Sequence, residues 1–384
     1  MNICEHNDFC GGCVYQGTPY EEQLRIKENQ VWGFLEEKGV KPDRTERIEG
    51  CLCRYRYRNK MEYTFGDFTK GGPLALGMHR KGNFMSITTV DRCQLVDEDF
   101  NMILDAVLDF AGGKGYSFYN KRNHRGLLRN LVIRKGVRTK ELLVNIVTSS
   151  EEGFDEDGFT ACLLGLPTKN RIAGILRTFN DSLADAVKCQ SLKTLYGRDY
   201  YEEKILGLTF RVSAFSFFQT NVEAAERLYS EALSLIDDIE GKSVFDLYCG
   251  TGTISQIMAL KAGHVTGVEL VPEAVLAAEK NASLNGLDNC EFRAGDVFEV
   301  LSGLSRTPDV IVVDPPRVGI QPKALEKIIS YGVRQILYIS CNPRTLAENL
   351  RYLDYYGYRC RYLKPYDNFP FTKHTEAVAL VTKD

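Results

Sequence analysis

The sequence predicts an α/β fold: a Rossmann-like, mainly parallel sheet joined to a smaller β-rich domain. Three observations predict it. Residues 311–344 read as strand, turn, helix and strand, two short β-branched runs joined through a helix. Residues 243–260, SVFDLYCGTGTISQIMAL, read as strand, glycine loop and helix. From about 49 to 212 the pattern changes to short strands and glycine-rich turns. A chain of 384 residues exceeds one compact core, and the change near 213 divides it into 1–212 and 213–384.

Composition narrows the class. The 44% hydrophobic and 26% charged residues are those of a globular protein. No apolar run reaches the roughly 20 residues that span a bilayer, so no membrane partner is expected. The opening MNICEHNDFC carries no basic-then-apolar signal, which places the chain in the cytoplasm. There, twelve cysteines point to metal ligation or catalysis rather than disulfides. The net charge of −3 decides nothing about nucleic acid; its distribution does. A monomer is expected.

In chain order, Cys4, Cys10 and Cys13 come first, as C-x5-C-G-G-C. Thiolates this close, on a glycine-hinged turn, can converge on one metal. Cys93, in VDRCQLV, is the leading fourth ligand, with Cys51 and Cys53 as alternatives. Zinc and an iron–sulfur cluster both fit the spacing. Residues 18–39 read as a helix that can pack on the 213–384 domain: Thr18 as cap, Pro19 at its first position, Glu21 as capping-box acid, and Gly39 at its end. Leu24, Val31 and Leu35 share one side. Two basic, aromatic segments follow. One holds Arg54, Arg56, Arg58 and Lys60. The other, 114–140, holds nine Lys or Arg and no acid, among them Lys121, Arg122, Arg125, Arg129 and Arg134. Uncompensated positive charge interleaved with Tyr, Phe and His suits phosphate contacts and base stacking, so RNA is the expected partner. The acidic stretch 151–157 reads as a solvated loop.

After 213, SAFSFFQTN leads into a helix over Ala224 to Leu235. The next glycine loop carries Asp246, Gly250 and Gly252, with Thr253 opening the helix, and lacks the full G-x-G-x-x-G. The strand HVTGVEL ends in Glu269, suited to two ribose hydroxyls, and CEFRAGDV ends in Asp296, suited to an adenine amino group. These elements in this order resemble methyltransferases that use S-adenosylmethionine. Asp314 and Cys341 then close two parallel strands, at the ends where such sheets bind ligands.

The whole chain resembles the TrmA/RumA family of RNA (uracil-5-)methyltransferases. The resemblance rests on C-x5-C-G-G-C, YRNKMEYTFG, SFFQTN, FDLYCGTG, DPPRVG, SCNPRT and DNFPFTKHTE. It implies that Cys4, Cys10, Cys13 and Cys93 bind a [4Fe–4S] cluster. It also implies that Gln219, Tyr248, Glu269 and Asp296 line the S-adenosylmethionine pocket. Cys341 would be the nucleophile, Glu376 the general base, and Asp314 would hold the cofactor or the base edge. Some members begin with a TRAM domain, which this chain is expected to lack. Phe371 departs from the family, whose members usually place a polar residue there.

Uracil C5 is a poor nucleophile, and thiolate addition at C6 makes the enolate that attacks a methyl group. Large ribosomal RNA is the expected substrate, with transfer RNA as the alternative. An amino-group methyltransferase would need neither Cys341 nor Glu376. A non-catalytic iron–sulfur RNA-binding protein would have no use for the pair.

Overall fold

The structure, a computed structural model, describes residues 3–183, 189–304 and 306–383. Its larger sheet has eight strands, in the spatial order Arg44–Thr45, Tyr358–Tyr366, Glu376–Lys383, Gln335–Ser340, Val310–Val313, Ser243–Leu247, His264–Glu269 and Cys290–Ala294. The strands from Gln335–Ser340 to Cys290–Ala294 run parallel. Every residue of Val310–Val313 and Gln335–Ser340 is buried, because helices cover both faces of a parallel sheet. One face packs Val244, Val312 and Leu337, the other Phe245, Ile311 and Tyr338. Strand order reverses between Ser243–Leu247 and Val310–Val313. Doubly wound sheets open a crevice at such a switch point.

The smaller sheet has seven strands, from Asn83–Thr89 at one edge to Ser191–Gly197 at the other. Helices Glu98–Gly113 and Glu156–Leu164 close its core over Tyr63, Leu131 and Ile146. The acidic stretch at 151–157 is only partly loop. Asp155 caps the second of these helices through Gly158 N–H, and Glu156 pairs with Arg177 and Lys193.

The chain before 213 contributes to both sheets. Strand Arg44–Thr45 lies parallel to Tyr358–Tyr366, and Val31 and Leu35 enter the core with Tyr338 and Leu350. Their helix spans Tyr20–Lys38 and ends on Gly39 in the left-handed region (φ 69°), where a residue without Cβ is least strained. Its start differs from the expected one. Pro19 is the N-cap and no side chain caps the helix, while the Thr18 carbonyl accepts from Gln23 Nε2 at 2.8 Å. The buried stripe is also less apolar than the pattern suggested: Tyr20, Gln23, Lys27, Val31 and Leu35.

Lys27 is fully enclosed because Asp367 meets it at 2.5 Å. Its ammonium also donates to the Phe369 carbonyl at 3.1 Å, and Tyr20 donates to the second Asp367 oxygen at 2.8 Å. Lys27→Met leaves the Asp367 carboxylate buried without a counter-ion. The expected cost is about 3–5 kcal/mol, read as a lowered denaturation midpoint that Asp367→Asn partly restores. Among the described residues no helix is long and apolar enough to cross a membrane.

Candidate active site

A cavity of about 2080 Å³ opens at the switch point, lined by Gln219, Tyr248, Gly250, Thr253, Glu269, Asp296, Asp314, Cys341 and Glu376, among others. The glycine loop shapes its floor. Tyr248 leaves its strand with φ 68°, sparsely populated for a bulky side chain, and its N–H is held by the Val268 carbonyl at 2.9 Å. A Cβ on Gly252 would come within 2.8 Å of Phe292 and 2.9 Å of Ala278, so only glycine fits there. Glu269 braces the loop, accepting from Gly250 N–H and Val271 N–H, each at 3.0 Å. Asp296 stands beyond its strand rather than in it. It caps the helix Val297–Gly303, accepting from Phe298 N–H at 2.9 Å. Gln219 donates to the buried Tyr229 hydroxyl at 2.8 Å.

The end of the cavity at Cys341 is built by strand register. Gln335–Ser340 pairs antiparallel with Glu376–Lys383, with Ser340 opposite Ala377. The next step along each strand therefore sets Cys341 beside Glu376. Asp314 follows the parallel neighbour Val310–Val313. Asn342, the N-cap of the helix Pro343–Tyr355, donates to the Arg317 carbonyl at 2.7 Å. That bond ties the Asp-Pro-Pro-Arg turn to the Cys341 loop. Asn349 holds the same turn from behind, accepting from Ile320 N–H at 2.9 Å and the Tyr338 hydroxyl at 2.8 Å.

Crowding of acids in a poorly solvated site shifts all three groups. Burial first, then Asp314, pushes the Glu376 carboxyl up to about 8, with Arg317 opposing. Burial and Asp246 raise Asp314 to about 7. Burial, Glu376 and Asp314 raise the Cys341 thiol to about 11. His374 moves the other way, to about 4, through burial and the cations Arg317, Lys373, Lys27 and Arg58, so its imidazole is neutral at pH 7. Sequence reasoning passed over Arg317 and Tyr229 as site residues. The motif DPPR contained the first, while nothing local marks the second.

The 367–376 loop is held from the N-terminal part of the chain. Tyr57 donates to the Pro370 carbonyl at 3.0 Å. The cavity segment at 219–220 is held from the same side: Asn59 donates through its side chain to the Gln219 carbonyl at 3.0 Å, and through its N–H to that of Thr220 at 2.9 Å. Phe371 does not line the cavity. It is buried with Tyr57, Leu95, Cys13, Cys93 and Phe369, and its φ of 66° is strained for a bulky residue. Three bonds fix it: its N–H donates to Gln23 Oε1 at 3.0 Å, and its carbonyl accepts from Val14 and Tyr15 N–H at 2.9 and 3.1 Å.

Cys4, Cys10, Cys13 and Cys93 are neighbours. Cys13 is raised to about 12 by burial and by Cys93, Cys10 and Cys4. Cys51 and Cys53 stand apart from them, the first receiving a bond from Asn221 at 3.4 Å, the second beside Glu223. Among the described residues no group of three His, Cys, Asp or Glu side chains is set to hold a metal ion. The four sulfurs are thus gathered without a preformed coordination cage.

The basic segments divide. Arg129 and Arg134 are only 6% and 2% exposed, which corrects their expected place on an RNA-facing surface. Arg129 lies 3.9 Å from the Tyr119 ring centroid and donates to the Asn180 and Ser182 carbonyls at 2.9 and 3.0 Å. Arg134 donates to the Ser216 carbonyl at 2.7 Å. Their strand, Leu128–Gly136, is central in the smaller sheet, so both guanidiniums brace the fold. Arg54, Arg56, Arg122 and Arg125 are exposed, and Lys60 and Lys121 are half-buried. Arg58 lines the cavity mouth.

Comparison with known proteins follows this geometry. The family model described as tRNA (uracil-5-)-methyltransferase matches residues 186–384. An uncharacterized RNA methyltransferase of Clostridium tetani is 48% identical over 369 residues, covering 96% of this chain and 81% of the relative. One from Caldanaerobacter subterraneus is 47% identical over 380 residues, covering 99% and 84%. Among solved structures, the Pyrococcus abyssi tRNA (uracil-54, C5)-methyltransferase in complex with S-adenosyl-L-homocysteine superposes with a TM-score of 0.80 at 25% identity, covering 97% of this chain and 86% of that one. With its doubly wound sheet and the cavity at its switch point, the chain belongs to the tRNA (uracil-5-)-methyltransferase family and is an RNA methyltransferase.

Proposed function

We propose that the protein methylates C5 of a uridine in RNA, with S-adenosylmethionine as methyl donor and Cys341 as nucleophile. The observation that carries this reading is the register that sets Cys341 beside Glu376 at the mouth of Asp314's strand. The donor supplies an electrophilic methyl group on a sulfonium cation. Tyr248 and the loop at Gly250 and Thr253 would form its floor, with Glu269 at the ribose, Asp296 at the adenine and Gln219 alongside. Asp314 would hold its cationic end.

With its proton lost to solvent, Cys341 adds through sulfur to uracil C6, moving the ring electrons to an enolate whose C5 takes the methyl group. The electron pair of the broken methyl–sulfur bond stays on the donor as a neutral thioether. Glu376 then removes the C5 proton, and the returning electron pair expels the thiolate. Neutral His374 and Phe369 line the same cavity and suit the uracil edge and face. The target base must leave its stack to reach Cys341.

This assignment has a pH signature. Burial holds Asp314 near 7 and Glu376 near 8. A sulfonium cation beside them favours their ionised forms, so its binding releases protons. Affinity for S-adenosylmethionine is therefore expected to rise with pH through about 7 to 8, and to level off above. Calorimetry in buffers of different ionisation enthalpy reads the released protons directly. In Asp314→Asn the pH dependence through 7 should flatten.

The four clustered cysteines suit a [4Fe–4S] cluster. Crowded thiols that raise one another's proton affinity are stabilised as thiolates by a bound cation. Protein purified without oxygen is expected to hold iron and sulfide in near-equal amounts and little zinc, and Cys10→Ser to lose both.

Ribosomal RNA remains the favoured substrate, on C-G-G-C and YRNKMEYTFG. The Pyrococcus abyssi neighbour, named for a transfer RNA uridine, supports transfer RNA as a second reading. Mapping 5-methyluridine across total RNA from a deletion strain and its parent tests both. Loss at one ribosomal uridine supports the first, loss in transfer RNA the second, and an unchanged map contradicts uridine methylation.

A further inference from the structure

The hairpin of Leu74–Arg80 and Asn83–Thr89 forms one edge of the smaller sheet, and its tip leaves a large aromatic side chain in water. Phe84 is 61% exposed and Met85 51%. The Phe84 ring stacks on His79, with centroids 4.3 Å apart and planes 13° from parallel. Lys121 places its ammonium 4.8 Å from the same ring centroid.

The tip is held firmly from below. Lys81 N–H donates to the Phe9 carbonyl at 2.7 Å, and Gly11 N–H to that of His79 at 3.0 Å. Lys81 Nζ reaches the Asn7 carbonyl at 2.5 Å. Arg80 lies over Phe68, 4.8 Å from its ring centroid, and Phe68 packs edge-on against Phe9 at 5.4 Å. Residues 7–11 thus fasten the hairpin to the cysteine loop. Lys121 starts the 121–125 turn, closed by a 2.7 Å bond from Asn120 N–H to the Arg125 carbonyl, and Arg122 and Arg125 are exposed on that same turn.

We propose that this tip is a second RNA-binding surface. Phe84, backed by His79, stacks an unpaired base of the substrate RNA, and Arg80, Lys81, Lys121 and Arg125 hold the flanking phosphates. The inference rests on the chain acting on RNA. Two exposed apolar side chains fall far short of the roughly 800 Å² per partner that a stable protein interface buries. An aromatic platform rimmed by cations is what single-stranded nucleic acid uses. The ammonium of Lys121 can turn from the ring to a phosphate as the base arrives. Bound there, the RNA is gripped outside the cavity while another nucleotide enters it.

The test measures binding of the intact protein to a short fluorescent RNA strand of mixed sequence and to the same strand in a blunt duplex. Phe84→Ala should weaken single-strand binding about tenfold, leave duplex binding unchanged, and keep the wild-type salt dependence. Phe84→Trp should bind the strand at least as well as wild type. Lys81→Ala should lower the salt slope by about one. Wild-type single-strand affinity in Phe84→Ala overturns the platform, as does equal weakening on strand and duplex or failure of Phe84→Trp to bind. A wild-type protein that binds neither RNA overturns the RNA reading itself, so the two failures are distinct.

Discussion

Cys341→Ala is expected to abolish methyl transfer, lowering turnover by about 10⁴-fold or more, the scale on which loss of a catalytic nucleophile acts. The reason is chemical: without sulfur at C6, no enolate forms and C5 has no electron pair to offer. Cofactor binding should survive, because the small Cys341 side chain lies on a strand end that Asn342 and Ser340 continue to organise. Two measurements check this together: incorporation of labelled methyl into RNA, and affinity for S-adenosylmethionine. Substantial methylation by the alanine variant would remove Cys341 from the reaction.

Glu376→Gln has a different expected outcome. The amide cannot accept the C5 proton, so methyl transfer proceeds and elimination stalls. Turnover should fall by about 10²- to 10⁴-fold, with a methylated protein–RNA adduct accumulating on ordinary uridine. A denaturing gel shows it as a slowly resolving band. The substitution also removes one of the charges that raise Cys341 and leaves Asp314 as the remaining acid nearby. Addition of sulfur to C6 should therefore be no slower than in the wild type. If Glu376→Gln turned over normally, the base would have to be another group.

Much of this site was legible because its chemistry sits on local motifs. Asp314 and Cys341 both follow apolar runs that could only be buried parallel strands. The glycine loop, Glu269 and Asp296 follow one another with the spacing of successive strands and helices. What could not be read was long-range. Nothing near residue 376 tells that its strand runs antiparallel to Gln335–Ser340, and that register is what brings Glu376 to Cys341. Nothing local marks Lys27 as buried. Its partner Asp367 lies 340 residues away, and only the folded chain shows the pair. Arg129 and Arg134 misled for the opposite reason. Charge patterning marked them for phosphate, while Leu128–Gly136 is a central strand that turns both guanidiniums into the fold. Phe84 carried no motif at all. Its exposure at a hairpin tip is a property of the packed structure.

Phe371, expected from the resemblance to be a departure, has a physical reason for its place. Its ring fills the space between Cys13, Cys93 and Phe369 instead of facing the cavity. Its left-handed backbone is held by bonds to Gln23, Val14 and Tyr15. The cysteine loop and the loop leading to Glu376 are thereby packed as one body.

The central claim is that the Cys341 sulfur adds to uracil C6 before the methyl group reaches C5. Its most direct measurement is mass spectrometry of the complex formed with a 5-fluorouridine transcript and S-adenosylmethionine, since fluorine at C5 blocks the proton loss that releases sulfur. The expected result is a peptide spanning Cys341 that carries a nucleotide with both fluorine and a transferred methyl group. An adduct on another cysteine, or a fluorinated transcript methylated without any adduct, would contradict it.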